Sequence, residues 1–335
     1  MKNKLTFFGD VYLDKPFSID DPPENFVFNL EYPISERGTP LKNKVNLRQK
    51  RSYLRETFGR MPLGVTLANN HVFDYGDEAF EDTVAYLDKN GIKYCGAGNQ
   101  QNNFNNPLSI DAPGKKIKLF AYCGEETGIP GIKNKNYGPA LIDQEKIKAD
   151  LEKHRGSADI RICALHWGEE EVQWPAPAEI NLAHAIIDAG ADMIIGHHPH
   201  VMRPLEIYRG KPIFYSIGNF IFPDLNMKTY WDGERFTRSL KKKQNKENRS
   251  GLRVDVDLES REFKVFKTLQ KRNSIITCPV HLPDQGTWLN NPEYAAFYQK
   301  FYKKRRRQIL LNAFLNNPRI PQMGSVKELF RSLKS

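Results

Sequence analysis

The chain has 335 residues, of which 39% are hydrophobic, 11% aromatic and 27% charged, a composition that supports a sizeable core and excludes wholesale disorder. Mean hydropathy is −0.61, and no run approaches the ~18 uninterrupted apolar residues of a membrane-spanning helix. The net charge of +10 is unevenly placed: residues 225–250 carry eight Lys/Arg against three Asp/Glu, residues 284–335 carry ten against three, and the remainder stands at −2. A uniformly basic nucleic-acid binder would look different, so nucleic acid is not an expected partner.

In chain order, MKNKLTFFGD contains an apolar run too short, and too soon closed by an acid, for a signal peptide. It reads as a strand over Leu5–Phe8. Further strands are predicted at Phe26–Leu30, Val65–Ala68, Ile117–Tyr122, Ile160–Leu165, Met193–Ile195 and Ile213–Ile217. Helices Glu78–Asn90 and Ala178–Ala189 lie between them, closed by Gly91 and Gly190 in the manner of C-caps. This alternation predicts an α/β fold with a largely parallel sheet. Residues 225–250, polar, cationic and weakly periodic, read as a surface loop or mobile lid. GLRVDVDLESREFKVFK alternates apolar and polar residues around a turn and reads as a β-hairpin. From Pro292 the pattern is helical, with Tyr294, Phe297, Phe301, Ile309, Leu310 and Phe314 interrupted by KKRRR. The predicted organisation is a catalytic body over 1–283 and a basic, largely helical extension over 284–335. Cys95, Cys123, Cys163 and Cys278 are too far apart for a disulfide framework or zinc knuckle and read as free thiols in a reducing compartment.

The chemistry sits at the strand ends. LTFF ends in Gly9-Asp10, FVFNL carries Asn29 and ends in Glu31, and GVTLA leads into Asn69-Asn70-His71 with Asp74 a turn later. RICAL leads into His166-Trp167-Gly168, and DMII into Gly196-His197-His198-Pro199-His200. Each segment alone has an ordinary reading as a turn, a helix cap or a surface polar residue. In an open α/β sheet, however, ligands bind beyond the carboxyl ends of the strands, where these five segments would meet. His198 and His200, two apart in an extended segment, would point the same way. Oxygen and imidazole donors without cysteine suit Mn²⁺, Zn²⁺ or Fe, and two such ions can activate water and clamp a phosphoryl group.

GDVYLD, NLEYPIS, LANNHVFDYG, the Cys95–Gly98 segment, LHWGEE, DAGADMIIGHHPHV and RGKPIFYSIGNF occur in this order. Together they resemble the CapA-type poly-γ-glutamate capsule biosynthesis family, within the calcineurin-like metallo-dependent phosphatases. The resemblance spans roughly residues 4–222 and continues weakly to about 283. It implies a metallo-dependent phosphatase-like sandwich of β-sheets flanked by helices. It implies Asp10, Glu31, Asn70, His166, His198 and His200 as metal ligands, Glu31 bridging, with His197 outside the set. His71 would face the substrate, oriented by Asp74. Asn29, Glu170 and Asn219 fall at positions that would line the site; Lys44 and Arg48, after the second strand, read either as contacts to an anionic substrate or as solvated loop charges. The first block reads Asp10-Val11-Tyr12 where the superfamily pattern has Asp-x-His, which implies one tightly and one weakly held divalent ion, with Mn²⁺ expected first and Zn²⁺ or Fe as alternatives.

The implied activity is metal-dependent phosphoester hydrolysis on an anionic small-molecule or polymer substrate of capsule or cell-surface polymer metabolism. A non-hydrolytic, metal-binding role in anionic polymer synthesis is the alternative. Capsule-type members commonly carry a membrane anchor; none is read here, so the expected location is cytoplasmic. The basic tail would lie on an anionic membrane surface at its inner face or grip a polyanion, with a solvated helix docked on the body as the ordinary reading.

Overall fold

Strand alternation divides the apolar side chains of this protein between layers. In the computed structural model, which describes residues 3–102, 104–112, 114–129 and 136–316, Leu5 and Phe7 of strand Lys4–Val11 enter an interior between two sheets. Phe8 turns outward to a helical layer. Phe26–Leu30 does the same, sending Val27 inward and Phe26, Phe28 and Leu30 outward.

The first sheet is ordered Ser18–Ile19, Ser274–Pro279, Phe263–Lys271, Ser250–Asp257, Lys4–Val11, Phe26–Leu30, Gly64–Thr66 and Lys93–Cys95, with Asn219–Ile221 also paired to Lys4–Val11. Its last four strands run parallel, whereas the predicted hairpin, Ser250–Asp257 with Phe263–Lys271, joins antiparallel. The second sheet is ordered Leu205–Tyr208, Lys211–Phe214, Met193–His197, Ile160–His166, Lys115–Cys123 and Leu108–Ala112. Its middle four strands are parallel. Leu119, Ile162 and Ile195 meet Leu5, Val27 and Val254 in the shared interior.

Helices Leu54–Phe58 and Gly76–Lys89 bury Leu54, Phe58, Phe80 and Leu87 against the outer face of the first sheet. Gln144–Lys153 and Pro177–Asp188 cover the second through Ile147, Leu151, Ile180 and Ile187. Gly91 (φ 65°) and Gly190 (φ 113°) follow their helices in the left-handed region, as C-cap glycines do. The result is a sandwich of two sheets flanked by helices. The chain's final described helix, Tyr294–Asn316, adds Tyr294 and Tyr298 to the second helical layer, and the Tyr294 hydroxyl donates to the Pro175 carbonyl at 2.6 Å. The Phe314 side chain and everything beyond Asn316 lie outside the described residues.

Residues 225–250 are not a loop. Leu225–Trp231 and Phe236–Lys242 form an antiparallel hairpin in which Leu225 and Thr229 are buried, Met227 is half-buried, and Asn226 and Lys228 are exposed. Its turn is built by Asp232, whose Oδ1 accepts from the Glu234 and Arg235 amides at 2.8 and 2.9 Å, and by Gly233 at φ 120°. KKRRR is also partly engaged. Arg305 Nε donates to the Glu171 carbonyl at 2.7 Å and its guanidinium pairs with Glu247 at 2.6 Å, while Arg306 lies 3.5 Å from Glu169. All four cysteines are free, Cys278 exposed and the other three buried. Among the described residues no helix is long and apolar enough to cross a membrane.

Candidate metal centre

On three of the parallel strands the inward side is apolar until the carboxyl end, where it becomes polar. Val27 is followed two residues later by Asn29, Ile162 and Ala164 by His166, Met193 and Ile195 by His197. Asp10 reaches the same side by a different device. The pairing of Lys4–Val11 with Phe26–Leu30 slips between Phe7 and Asp10, which moves Asp10 from the outward register of Phe8 to the inward one. Gly9 permits this. A Cβ there would lie 1.8 Å from the Gly218 carbonyl oxygen, on the chain that leads into strand Asn219–Ile221.

His198 and His200 converge, but not through an extended segment as the two-residue spacing predicts. Both lie in a turn after strand Met193–His197, in the left-handed region at φ 91° and φ 57°. Non-glycine residues held there carry strain of ~1–3 kcal/mol each, retained where the surroundings impose it. Here the His198 amide donates to Asp10 Oδ2 at 3.1 Å, and Asn248 Nδ2 donates to the His200 carbonyl at 3.2 Å.

Two groups of donor atoms result. Asn70 Oδ1 and His198 Nδ1 each lie 3.1 Å from His166 Nε2. Asp10 Oδ2 lies 3.3 Å from His200 Nδ1, and Glu31 Oε2 lies 3.7 Å from His200 Nε2. Glu31 Oε1 joins the groups, 3.6 Å from His166 Nδ1, and ligand atoms of Asp10, Glu31 and His166 all fall within 4.8 Å of one another. All six residues are buried. Burial works against ionisation of Asp10, but His197 and His200 outweigh it and hold this carboxyl well below the usual range. Burial and the charge of Asp10 push Glu31 well above its own range. His198 is neutral, lowered to about 3 by burial, and burial with His198 nearby lowers His166 as well. His200 goes the other way: despite burial, Glu31 and Asp10 raise it to about 10. Glu31 Oε2 is buried without a hydrogen-bond partner among the described residues. Two buried carboxyl groups, one oxygen of Glu31 unsatisfied, facing the neutral imidazoles of His166 and His198 and the Asn70 amide oxygen fit a divalent cation.

Of the residues expected at the substrate side of the site, Asn29 and Asn219 support this cluster directly. Asn29 is buried beneath it, its Nδ2 at 2.9 Å from Asp10 Oδ1, 3.2 Å from Glu31 Oε1 and 3.2 Å from His166 Nδ1. Its Oδ1 accepts from Asn69 Nδ2 at 3.0 Å. Asn219 is buried too, its Oδ1 2.8 Å from His200 Nδ1, which leaves His200 Nε2 as the nitrogen for a ligand. Arg48 stacks over Tyr75 at 3.9 Å and donates to the Glu36 and Arg37 carbonyls, because that ring and those carbonyls offer it a closer site than the cleft. Glu170 stands half-exposed at the rim, paired with Lys242 of the hairpin at 3.1 Å, and that ammonium holds it below the carboxylate range. Lys44 borders the site, with its ammonium bonded to Asp74 and to the Asn70 carbonyl.

His71 and Asp74 meet as predicted. His71 Nδ1 lies 2.6 Å from Asp74 Oδ2, which also accepts from the Leu47 amide at 2.7 Å. Asn69 fixes the turn by accepting from the His71 and Val72 amides at 3.0 and 2.9 Å. Three contributors are not singled out by the sequence reading. Asn69 is legible as a turn-former, and Lys242 is hidden in the presumed loop. His197 is left outside the ligands there, yet its Nδ1 is buried 3.1 Å from Asp10 Oδ1 with no hydrogen-bond partner among the described residues; alternation with Met193 and Ile195 would have placed it.

The model of the bacterial capsule synthesis protein family, PGA_cap, matches residues 23–224. The chain belongs to this family. It is 32% identical over 162 residues to the capsule biosynthesis protein CapA of Bacillus anthracis, covering 47% of this chain and 39% of that protein. It is 35% identical over 158 residues to the PGA biosynthesis protein CapA of Bacillus subtilis, covering 46% and 41%. The chain thus spans well under half the length of these curated relatives. Among solved structures, a hypothetical protein of Thermus thermophilus aligns with a TM-score of 0.41 at 14% identity, over 83% of this chain and 98% of that one.

Proposed function

We propose that this family member is a metal-dependent phosphoester hydrolase acting on an anionic small-molecule or polymer substrate of capsule or cell-surface polymer metabolism. The observation that carries this reading is the position of the His71–Asp74 pair, adjoining the ligand-type residue Asn70 in a cleft that Asn70, His71 and His200 all line. Asn70, His166 and His198 would hold one cation, Asp10 and His200 a second, with Glu31 shared and Mn²⁺ the metal first expected. A divalent cation held there would supply Lewis-acid polarisation of a phosphoryl oxygen and a water nucleophile at neutral pH.

The chain's own groups do the rest. Asp74 accepts the proton at His71 Nδ1, which leaves Nε2 to serve the leaving oxygen. Burial holds the imidazole below its ordinary value; an anionic phosphoryl group beside Nε2 works in the opposite direction and favours the protonated ring a general acid requires. Asn29 and Asn219 keep Asp10, Glu31 and His200 in place. The proposed location is cytoplasmic, with exposed lysines of the C-terminal helix facing an anionic membrane surface.

Elemental analysis of the purified chain, joined to a screen of phosphomonoesters and phosphodiesters with added Mn²⁺, tests the reading. Bound metal with Mn²⁺-dependent ester turnover is expected. Bound metal without turnover of any ester would instead favour the non-hydrolytic role in polymer synthesis.

A further inference from the structure

The hairpin Leu225–Lys242 roofs the metal centre, and it is held down from the opposite wall. Asn46 donates its amide to Thr229 Oγ1 at 2.6 Å and its Nδ2 to the Thr229 carbonyl at 3.0 Å, and the Asn43 amide donates to the Trp231 carbonyl at 3.0 Å. At its base the Gln244 amide donates to Asp224 at 2.7 Å, and Arg249 pairs with the same carboxylate at 2.6 Å.

Under this roof lie two clefts. One, of about 430 Å³, borders Asn70, His71 and His200; the other, of about 510 Å³, borders His198. They share Thr127, Gly128, Glu170, Leu240 and Lys242, so they adjoin along these side chains. The Lys242 ammonium marks the junction, 3.1 Å from Glu170 and 3.3 Å from Glu171. Each cleft alone falls in the ~300–1,000 Å³ range that encloses a small ligand. A phosphomonoester, with one substituent on phosphorus, would use only one of them.

The two walls differ in chemistry. On the His71 side Val45, Phe222, Leu225 and Tyr230 present apolar and ring surface, while Leu240 is common to both clefts. On the His198 side Lys241, Lys243 and Arg306 face Glu126 and Glu169, a lining of both charges that suits a polar, hydrogen-bonding group.

We infer that the substrate is a phosphodiester seated across both clefts, with an apolar or ring-bearing leaving group on the His71 side and a polar substituent on the His198 side. This rests on the hydrolase reading. In the reaction the water oxygen bonds to phosphorus and the bond to the His71-side oxygen breaks. Net, one water proton ends on the leaving alcohol, delivered through His71 Nε2, and the other leaves with the phosphomonoester, which retains the polar substituent.

The test uses the full chain with Mn²⁺ and compares bis(p-nitrophenyl) phosphate with p-nitrophenyl phosphate. Calorimetric binding of diphenyl phosphate against phenyl phosphate runs in parallel. The diester should show at least tenfold higher kcat/KM and at least tenfold tighter binding. Leu240→Asp and, separately, Tyr230→Ala should each lower diester kcat/KM and affinity at least fivefold in protein of unchanged thermal midpoint. Equal or better use of the monoester would overturn the inference and leave the hydrolase reading standing. So would indifference of the diester to both variants. If neither ester is turned over but diphenyl phosphate keeps its tenfold binding preference, the hydrolase reading falls and the ligand class stands. Absence of that preference as well would sink both.

Discussion

Asn29 gives the sharpest test of how the carboxylate pair is held. Replacing it with aspartate keeps its shape and puts a third carboxyl where an amide nitrogen now lies 2.9 Å from Asp10 and 3.2 Å from Glu31. At about 3 Å and an effective dielectric of ~20, the new like-charge pair with the ionised Asp10 repels by ~5 kcal/mol. The substituted carboxyl escapes by staying protonated, and holding a group of pKa ~3.9 neutral at pH 7 costs about 4 kcal/mol. The smaller of the two sets the expectation. Asn29→Asp should destabilise the metal-free protein by about 4 kcal/mol, or roughly 8 °C in thermal midpoint at ~2 °C per kcal/mol for a chain of this size. A bound cation offsets added negative charge, so Mn²⁺ should restore a larger share of the midpoint in Asn29→Asp than it adds to the unmodified protein. The assay is thermal unfolding in chelator and again in excess Mn²⁺. Equal midpoints for the two proteins in chelator would show that the Asn29 amide does not bridge these carboxylates.

His71→Ala should retain the metal content of the unmodified chain and lose phosphoester turnover by ~10²-fold or more, measured together by elemental analysis and kinetics; metal loss would make His71 a ligand instead. Dialysed protein should hold about one ion per chain and take up a second on Mn²⁺ addition with a gain in activity, because Asn70, His166, His198 and Glu31 outnumber Asp10, His200 and Glu31. Two ions surviving exhaustive dialysis would refute that count and point to His197, 3.1 Å from Asp10, as the missing donor. Lys303→Glu with Lys304→Glu should release the full chain from anionic vesicles in a cosedimentation assay at low salt, since both lysines are exposed while Arg305 and Arg306 already pair with the body. Sedimentation unchanged by the double substitution would end the membrane expectation for this helix.

The ligand set of the candidate metal centre came with the family resemblance, and part of its geometry was legible because a strand's two-residue period carries one rule to its end. A run with Val27, or with Met193 and Ile195, inside the sandwich must place Asn29 or His197 on the same side. What alternation cannot report is a change of register. Asp10 departs from the period of Phe8, and its position depends on the slip beside Gly9, which depends in turn on a neighbour more than two hundred residues away. His198 and His200 likewise converge through two left-handed residues whose strain the surrounding hydrogen bonds must hold, a non-local condition that spacing does not encode. The hairpin failed for another reason. Its local signals were present: the Asp232-Gly233 turn and the alternation Leu225, Met227, Thr229. Its second strand, Phe236–Lys242, faces charge and solvent along most of its length, so composition outweighed period.

That exposure follows from where the hairpin sits. A strand inside the sandwich must be apolar on the buried side, whereas a roof over a phosphoryl site needs only enough apolar residues to shape one wall. Leu225, Tyr230 and Leu240 supply that wall, and Lys242 reaches past them to Glu170 and Glu171. The cation that made residues 225–250 look like solvated loop is therefore the group that spans the junction of the two clefts. The body positions the donor atoms through strand ends fixed by the core. The roof is anchored by hydrogen bonds to Asn46 and Asp224 and by Leu225, Met227 and Leu240 packed on the core cluster of the first sheet's outer face. On this division of labour, substitutions at Tyr230, Leu240 or Lys242 should change which ester is used, and substitutions at Asn29 or Asn219 should change how firmly metal is held.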